Sequence, residues 1–242
     1  MESYFVLLAP RIDPGPGGGR REVRAPVLLD PDAPALVVDV LRATTTLTVA
    51  MRNGAQRVLE AATPEEGFAL QARHPGSLLC GEREGLRIPG YDLGNSPFEY
   101  APERVAGKTL VFASTNGSQA LRLAARQRER VLASFANLSA AIERVRAARR
   151  VMVVCAGQLG RFALEDAGCA GAIGRRLRAL GAEPLNPEAR LVERLAPEGE
   201  GEVRALVQGS SHGRYLRRLG ARFARDVEFC ARLDAIDRAY AV

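Results

Sequence analysis

The apolar positions of this chain fall in short runs, each followed by a polar turn and then by a stretch with helical spacing. Tyr4-Phe-Val-Leu-Leu-Ala9 is the first run and reads as a strand. The second starts at Ala35, is β-branched at its centre, and ends on Asp39-Val-Leu. A helix follows it and stops at Asn53-Gly54, a usual C-terminal signal. Arg57-Val-Leu-Glu-Ala, Ser77 to Gly81, Lys108 to Ala113, Arg130 to Ser134 and Val151 to Cys155 read as further strands. Between them, Thr63-Pro64-Glu65-Glu66 opens a helix with Thr63 as cap, Pro64 at the first position and Glu66 closing a capping box. Gln119 to Arg126 is helical, Asn137 is expected to cap a helix over Leu138 to Ala148, and Ala163 to Leu180 is a long helix stopped by Gly181. From Asn186 onward the pattern is helical and more polar. Strands alternating with helices predict an α/β fold, three-layer α/β/α with a mixed, mostly parallel sheet, in a single domain over residues 1–242.

Two stretches break the pattern. Pro10 to Arg21 is rich in glycine and proline and reads as a mobile surface loop. Glu82 to Pro97 has no period and many turn formers, and loops of this length inside a compact domain are often functional.

Composition narrows the picture. With 242 residues and 47% hydrophobic content, the chain can bury a sizeable core. The net charge of +6 comes almost wholly from arginine, the one lysine being Lys108, and it forms no dense block. Without a recognisable module or interleaved aromatics, nucleic acid is not the expected partner. Cys80, Cys155, Cys169 and Cys230 are far apart, with only His74 and His212 to join them, which argues against zinc and for free thiols in a cytoplasmic protein. No run reaches membrane-spanning length.

The chemistry gathers at strand ends. Asp39, Arg42 and the hydroxyls of Thr44, Thr45 and Thr46 sit between a strand and a helix N-terminus, where unpaired N–H groups favour an anion. Ser114, Thr115, Asn116 and Gly117 repeat that design, and two such turns form a crevice in open α/β sheets. Glu165 and Asp166 begin the long helix, where acids suit the helix dipole or form a metal-ligand pair. Ser210-Ser211-His212 invites a serine-hydrolase reading, but no G-x-S-x-G elbow accompanies it. A nucleotide-binding protein is disfavoured by the absence of Walker A and G-x-G-x-x-G patterns.

Taken in order, Asp39-Val-Leu-Arg-Ala-Thr-Thr-Thr, Gly81-Glu82-Arg83, Asp92-Leu-Gly-Asn-Ser-Pro97, Thr115-Asn-Gly-Ser118, Phe135-Ala-Asn137, Cys155-Ala-Gly157, Leu164-Glu-Asp-Ala-Gly-Cys-Ala-Gly171 and Ser211-His-Gly213 resemble the 2-phosphosulfolactate phosphatase (ComB) family of coenzyme M biosynthesis. The match covers roughly residues 35–230, with serine replacing an expected threonine in the turn at Ser114 and again at Ser118. The resemblance implies an α/β, magnesium-dependent phosphatase that releases 3-sulfolactate and phosphate from a small anionic phosphoester. On that basis Asp39, Glu165 and Asp166 are the expected Mg²⁺ carboxylates with Glu82 in reserve, and Asp39, Arg42, Glu165 and Asp166 the expected catalytic set. Arg42 and Thr44 to Thr46 are expected to hold phosphoryl oxygens, Ser114 to Gly117 to form a second anion cradle, and Arg83, Asn95, Ser96 and Arg161 to meet the rest of the substrate. Attack by a metal-activated water is preferred to an aspartyl phosphate on Asp39, because the second Asp of the dehalogenase signature is Leu41 here. A homo-oligomer is left open, as are another small 2-phospho acid as substrate and a phosphoester-binding protein without turnover.

Overall fold

The computed structural model describes residues 1–9, 11–12, 23–24 and 30–242; the Gly/Pro-rich stretch lies, apart from residues 11–12, outside the described residues. In chain order the first elements are β1 (Ser3–Leu7), β2 (Arg11–Ile12), β3 (Val23–Arg24), β4 (Ala35–Val38), α1 (Ala43–Arg52), β5 (Arg57–Ala61), α2 (Pro64–Arg73), β6 (Leu78–Arg83) and β7 (Leu86–Arg87). Then come α3 (Pro102–Val105), β8 (Thr109–Ala113), α4 (Gly117–Leu123), β9 (Arg130–Ala133), α5 (Leu138–Val145), β10 (Arg150–Cys155), α6 (Leu164–Ala179) and β11 (Glu183–Pro184). Four helices end the chain: α7 (Pro187–Val192), α8 (Glu200–Gly209), α9 (Ser211–Arg218) and α10 (Ala221–Cys230).

The fold is α/β with mostly parallel pairing, and its strands are divided between two main sheets. One has the order β11-β1-β10-β4-β9 and is parallel throughout; the other runs β5-β8-β6-β7, with only the β6–β7 pair antiparallel. The sheets do not merge because the outer edge of β9 is taken by the C-terminal tail. There Leu132 N–H donates to Tyr240 O at 2.9 Å and Val242 N–H to Arg130 O at 3.0 Å.

Strand alternation assigns each face to its own apolar layer. Leu36 and Val38 point into the layer beneath α5 and α6, with Phe135 and Ile173. Ala35 and Val37 point the other way, into a layer shared with Leu110 and Phe112 of β8. Val111 and Ala113 face a third layer with Leu79, Ile88 and Tyr91. Parallel strands covered on both faces read as unbroken apolar runs, which is how β4 and β8 appear in the sequence.

Helix α1 lies between the two sheets, and Thr44, Thr45, Thr46 and Thr48 are all fully buried. An unmet buried hydroxyl costs about 1–3 kcal/mol. Each is met: Thr44 Oγ1 donates to Ala133 O at 2.7 Å, Thr45 to Val40 O at 3.1 Å, Thr46 to Asn95 O at 3.0 Å and Thr48 to Thr44 O at 2.7 Å.

Two caps differ from expectation. Thr63 accepts from Glu66 N–H, but Glu66 reaches back one residue further, to Ala62 N–H at 2.8 Å. Asn137 precedes α5 without capping it; its Oδ1 accepts from Ser134 N–H at 2.9 Å and its Nδ2 donates to Leu132 O, so it locks the turn after β9 instead.

Candidate active site

The C-terminal ends of β4, β6, β8 and β10 open on a cavity of about 250 Å³. Its lining includes Asp39, Arg42, Glu82, Asn95, Thr115 and Asn116, all marked in the sequence, together with Leu41, Glu84, Gly85, Gln158, Leu159, His212 and Tyr215. Turns after four strands thus share one space, where open α/β sheets bind ligands.

Each of the two turns read as phosphate cradles already holds an anion, and that anion belongs to the chain. At α1, Asp39 Oδ1 accepts from Ala43 N–H at 3.1 Å, while Asp39 N–H donates to Thr44 Oγ1 at 2.9 Å. The expected grip of Thr44, Thr45 and Thr46 hydroxyls on phosphoryl oxygens is therefore corrected: they are buried and spent on main-chain carbonyls. At the turn after β8, Thr115 N–H donates to Glu82 Oε1 at 2.8 Å. Ser114 and Ser118 cap one another, Ser114 Oγ accepting from Ser118 N–H and Ser118 Oγ from Ser114 N–H. Asn116 Oδ1 accepts from Leu159 N–H at 2.8 Å, and Gly117 lies against Asp39. The second cradle is thus a seat for Glu82, whose other oxygen accepts from Gly85 N–H at 2.8 Å.

Burial pushes the Asp39 carboxyl up to about 6; His212 opposes that rise, while Glu82 and Glu165 add to it. Asp166 is raised well above the carboxylate range by burial, then by Asp39 and Glu165. Its two oxygens accept from Val40 N–H at 2.9 Å and Gly157 N–H at 3.0 Å. It braces the ends of β4 and β10 and does not line the cavity. Glu165 is buried one layer behind, with Oε1 3.6 Å from His212 Nδ1. Among the described residues no group of three or more His, Cys, Asp or Glu is arranged to hold a metal ion. The expected trio of Asp39, Glu165 and Asp166 is therefore not a ligand cluster here, because only Asp39 of the three lines the cavity.

Of the three carboxylates that line the cavity, Glu84 is exposed, and the buried ones are Asp39 and Glu82. They lie beside two buried polar atoms without hydrogen-bond partners, Asn95 Oδ1 and Thr115 Oγ1. Such atoms are costly when left unpaired and suit a ligand, a water or a cation. Mg²⁺ takes one or two carboxylates with neutral oxygens and waters, so this donor set fits it.

Other expected contacts lie elsewhere. Arg83 donates to Glu82 O and Ala62 O, Ser96 donates to Asp226, and Arg161 is exposed on a turn outside the lining. His212, Gln158, Tyr215 and Asp226 received no role from the sequence. His212 stood out there, beside two serines, but Ser210 is spent as the cap of α9, accepting from Gly213 N–H at 3.0 Å. No helix among the described residues is long and apolar enough to cross a membrane.

Residues 27–240 match the sequence profile described as 2-phosphosulpholactate phosphatase. A protein of Thermotoga petrophila named "Probable 2-phosphosulfolactate phosphatase" is 44% identical over 200 residues, covering 83% of this chain and 85% of its own length. One of the same name from Deinococcus radiodurans is 41% identical over 202 residues, covering 82% and 83%. Another, from a Synechococcus strain, is 40% identical over 215 residues, covering 86% and 88%.

Proposed function

This chain belongs to the 2-phosphosulpholactate phosphatase family of phosphoric monoester hydrolases, and from that premise we propose that it hydrolyses the phosphate monoester of 2-phosphosulfolactate to 3-sulfolactate and phosphate. The observation that carries this reading is the convergence of Asp39, Glu82, Arg42 and His212 on one cavity at the strand ends.

We assign the magnesium requirement to the same place. Asp39 and Glu82 would hold the ion, with Asn95 Oδ1 as a neutral donor. When bound, magnesium supplies charge neutralisation at the phosphoryl oxygens and a template for the attacking water. Arg42 donates N–H groups to phosphoryl oxygens. His212, backed by Glu165, passes a proton to the leaving oxygen of the lactate. Asp39 acts as a holder and not as a nucleophile, since Leu41 stands where an aspartyl-phosphate mechanism of the dehalogenase type has its second Asp. The small size of the cavity suits a phosphoester of a few carbons and not a nucleic acid. Four free, buried cysteines suit a reducing cytoplasm, and the reaction is of the kind that serves coenzyme M biosynthesis.

A second reading has one observation in its favour. Asp39, Glu82 and Glu84 all line the cavity, against a single arginine and one histidine, which suits a phospho acid carrying less negative charge than a sulfonate-bearing one. Phosphate release from 2-phosphosulfolactate, phospholactate, phosphoglycolate and a nucleotide, each with Mg²⁺ and with chelator, separates the two. Magnesium-dependent release confined to phosphosulfolactate supports the first reading. Release from the other phospho acids alone moves the assignment to the second, and phosphate binding without any turnover overturns both.

A further inference from the structure

Behind the cavity, one guanidinium ties together segments from distant parts of the chain. Arg42 Nη1 donates to Asp226 Oδ2 at 2.5 Å, with the two side chains only 2% and 1% exposed. Arg42 Nη2 donates to Gly85 O at 2.7 Å, and the Phe223 ring lies 5.3 Å from Arg42 Cζ. The other oxygen of Asp226 accepts from the Ser96 hydroxyl at 2.6 Å. Arg42 thus meets α10, the tip of the β6–β7 hairpin and, through Asp226, the loop before the 3₁₀ turn Pro97–Glu99. Arg42 lines the cavity, and Asp226 does not.

We propose that Asp226 is a positioning residue for the phosphoester site, acting through Arg42, with Ser96 as its own support. A guanidinium has five N–H donors in a rigid plane. Two are named here, one on Asp226 and one on Gly85 O, and fixing those two directions fixes the plane. The three N–H donors left, on a side chain that lines the cavity, are then held in fixed directions for phosphoryl oxygens. Stability alone is a poor reason for such a pair, since apolar residues of equal volume often replace a buried ion pair without loss. Geometry is the better reason: an arginine free to rotate would spread its donors over many directions, and the aromatic face of Phe223 closes one of them. The inference rests on the phosphoester reading of the cavity.

The test is a double-mutant cycle on Asp226→Asn and Arg42→Lys, read as the dissociation constant for inorganic phosphate by calorimetry and as kcat/KM. Thermal unfolding of each variant is followed in parallel. Asp226→Asn is expected to weaken phosphate binding and lower kcat/KM by about tenfold, and to add less than about twofold once Arg42 is lysine, since residues acting through one another are not additive. Equal losses in both backgrounds, or unchanged phosphate affinity with only a lower melting temperature, overturn the proposal. If Asp226→Asn does not fold, Ser96→Ala decides: a loss of about threefold that vanishes in the Arg42→Lys background supports it, and wild-type affinity overturns it. Turnover by the wild type with Asp226→Asn unaffected would sink this inference and leave the phosphatase reading standing. Absence of turnover would sink that reading, while the phosphate-affinity cycle still judges Asp226, and a wild type that binds no phosphate overturns the positioning role too.

Discussion

Gly117 and Asp39 meet with no room for a side chain between them: a Cβ on Gly117 would lie 2.7 Å from Asp39 Oδ2 and 2.4 Å from the Ala43 Cβ. The first turn of α4 is thereby pressed onto the first turn of α1, and the carboxylate is wedged at the contact. Gly117→Ala should force Asp39 or α1 to move. Overpacking of this kind costs about 1–3 kcal/mol. Thermal unfolding should show that loss, and kcat/KM should fall by at least about tenfold, because a displaced Asp39 misplaces whatever it holds.

Asp39 should leave a signature in the pH dependence of stability of the chelator-treated protein. Burial, the largest cause, lifts its carboxyl from 3.8 to about 6 in the folded state. Between those values the folded chain keeps a proton that the unfolded chain has lost, so stability falls as pH rises across that window, by at most about 3 kcal/mol. Urea unfolding of wild type and Asp39→Asn at pH 4 and pH 7 checks this. The variant should gain stability relative to wild type on going to pH 7 and should lose at least about a hundredfold in turnover. A difference that does not change with pH would count against the buried carboxyl as its source.

Glu82 holds two backbone donors at once, Thr115 N–H and Gly85 N–H. In Glu82→Gln an NH₂ group must face one of them, leaving that donor unmet at a cost of about 1–3 kcal/mol. Amide hydrogen exchange should speed up at Thr115 or Gly85, and Mg²⁺ affinity, followed by titration, should weaken. Unchanged exchange at both amides would show that the carboxylate is not what holds them.

Asp166 should behave as a brace. Asp166→Asn removes an acceptor from Val40 N–H or Gly157 N–H and should lower stability by about 1–3 kcal/mol. Its Mg²⁺ affinity should stay within about threefold of wild type, in contrast to Asp39→Asn, since Asp166 lies outside the cavity lining that Asp39 and Glu82 share. A larger loss on titration would return Asp166 to the ligand set.

Much of the lining of the candidate site was legible in the residues themselves. Asp39, Arg42, Glu82, Asn95, Thr115 and Asn116 stand out as polar groups at strand ends or in the aperiodic loop, and the structure gathers all six around one cavity. What the pattern could not tell is which polar atoms are still available. Thr44 to Thr46 look like free donors beside a helix N-terminus, yet that helix lies between two sheets, and its hydroxyls are spent on carbonyls. Glu165 and Asp166 look like a matched pair, yet Asp166 faces backbone amides and Glu165 faces His212.

Local sequence determined the elements and their chemistry. Apolar runs covered on both faces read as parallel strands, Asn53-Gly54 stops α1, Thr63 caps α2, and small polar turns at strand ends mark where a ligand can sit. Tertiary structure alone decided that the strands form two sheets, because the edge of β9 is claimed by residues 240–242. It also decided that Asp39 and Glu82 occupy the anion seats, and that Arg42 is held by a carboxylate 184 residues away. The physical reason is that strand and helix preferences act over a few neighbouring residues. Burial and the pairing of a donor with one acceptor depend on which distant segments the fold brings within about 3 Å.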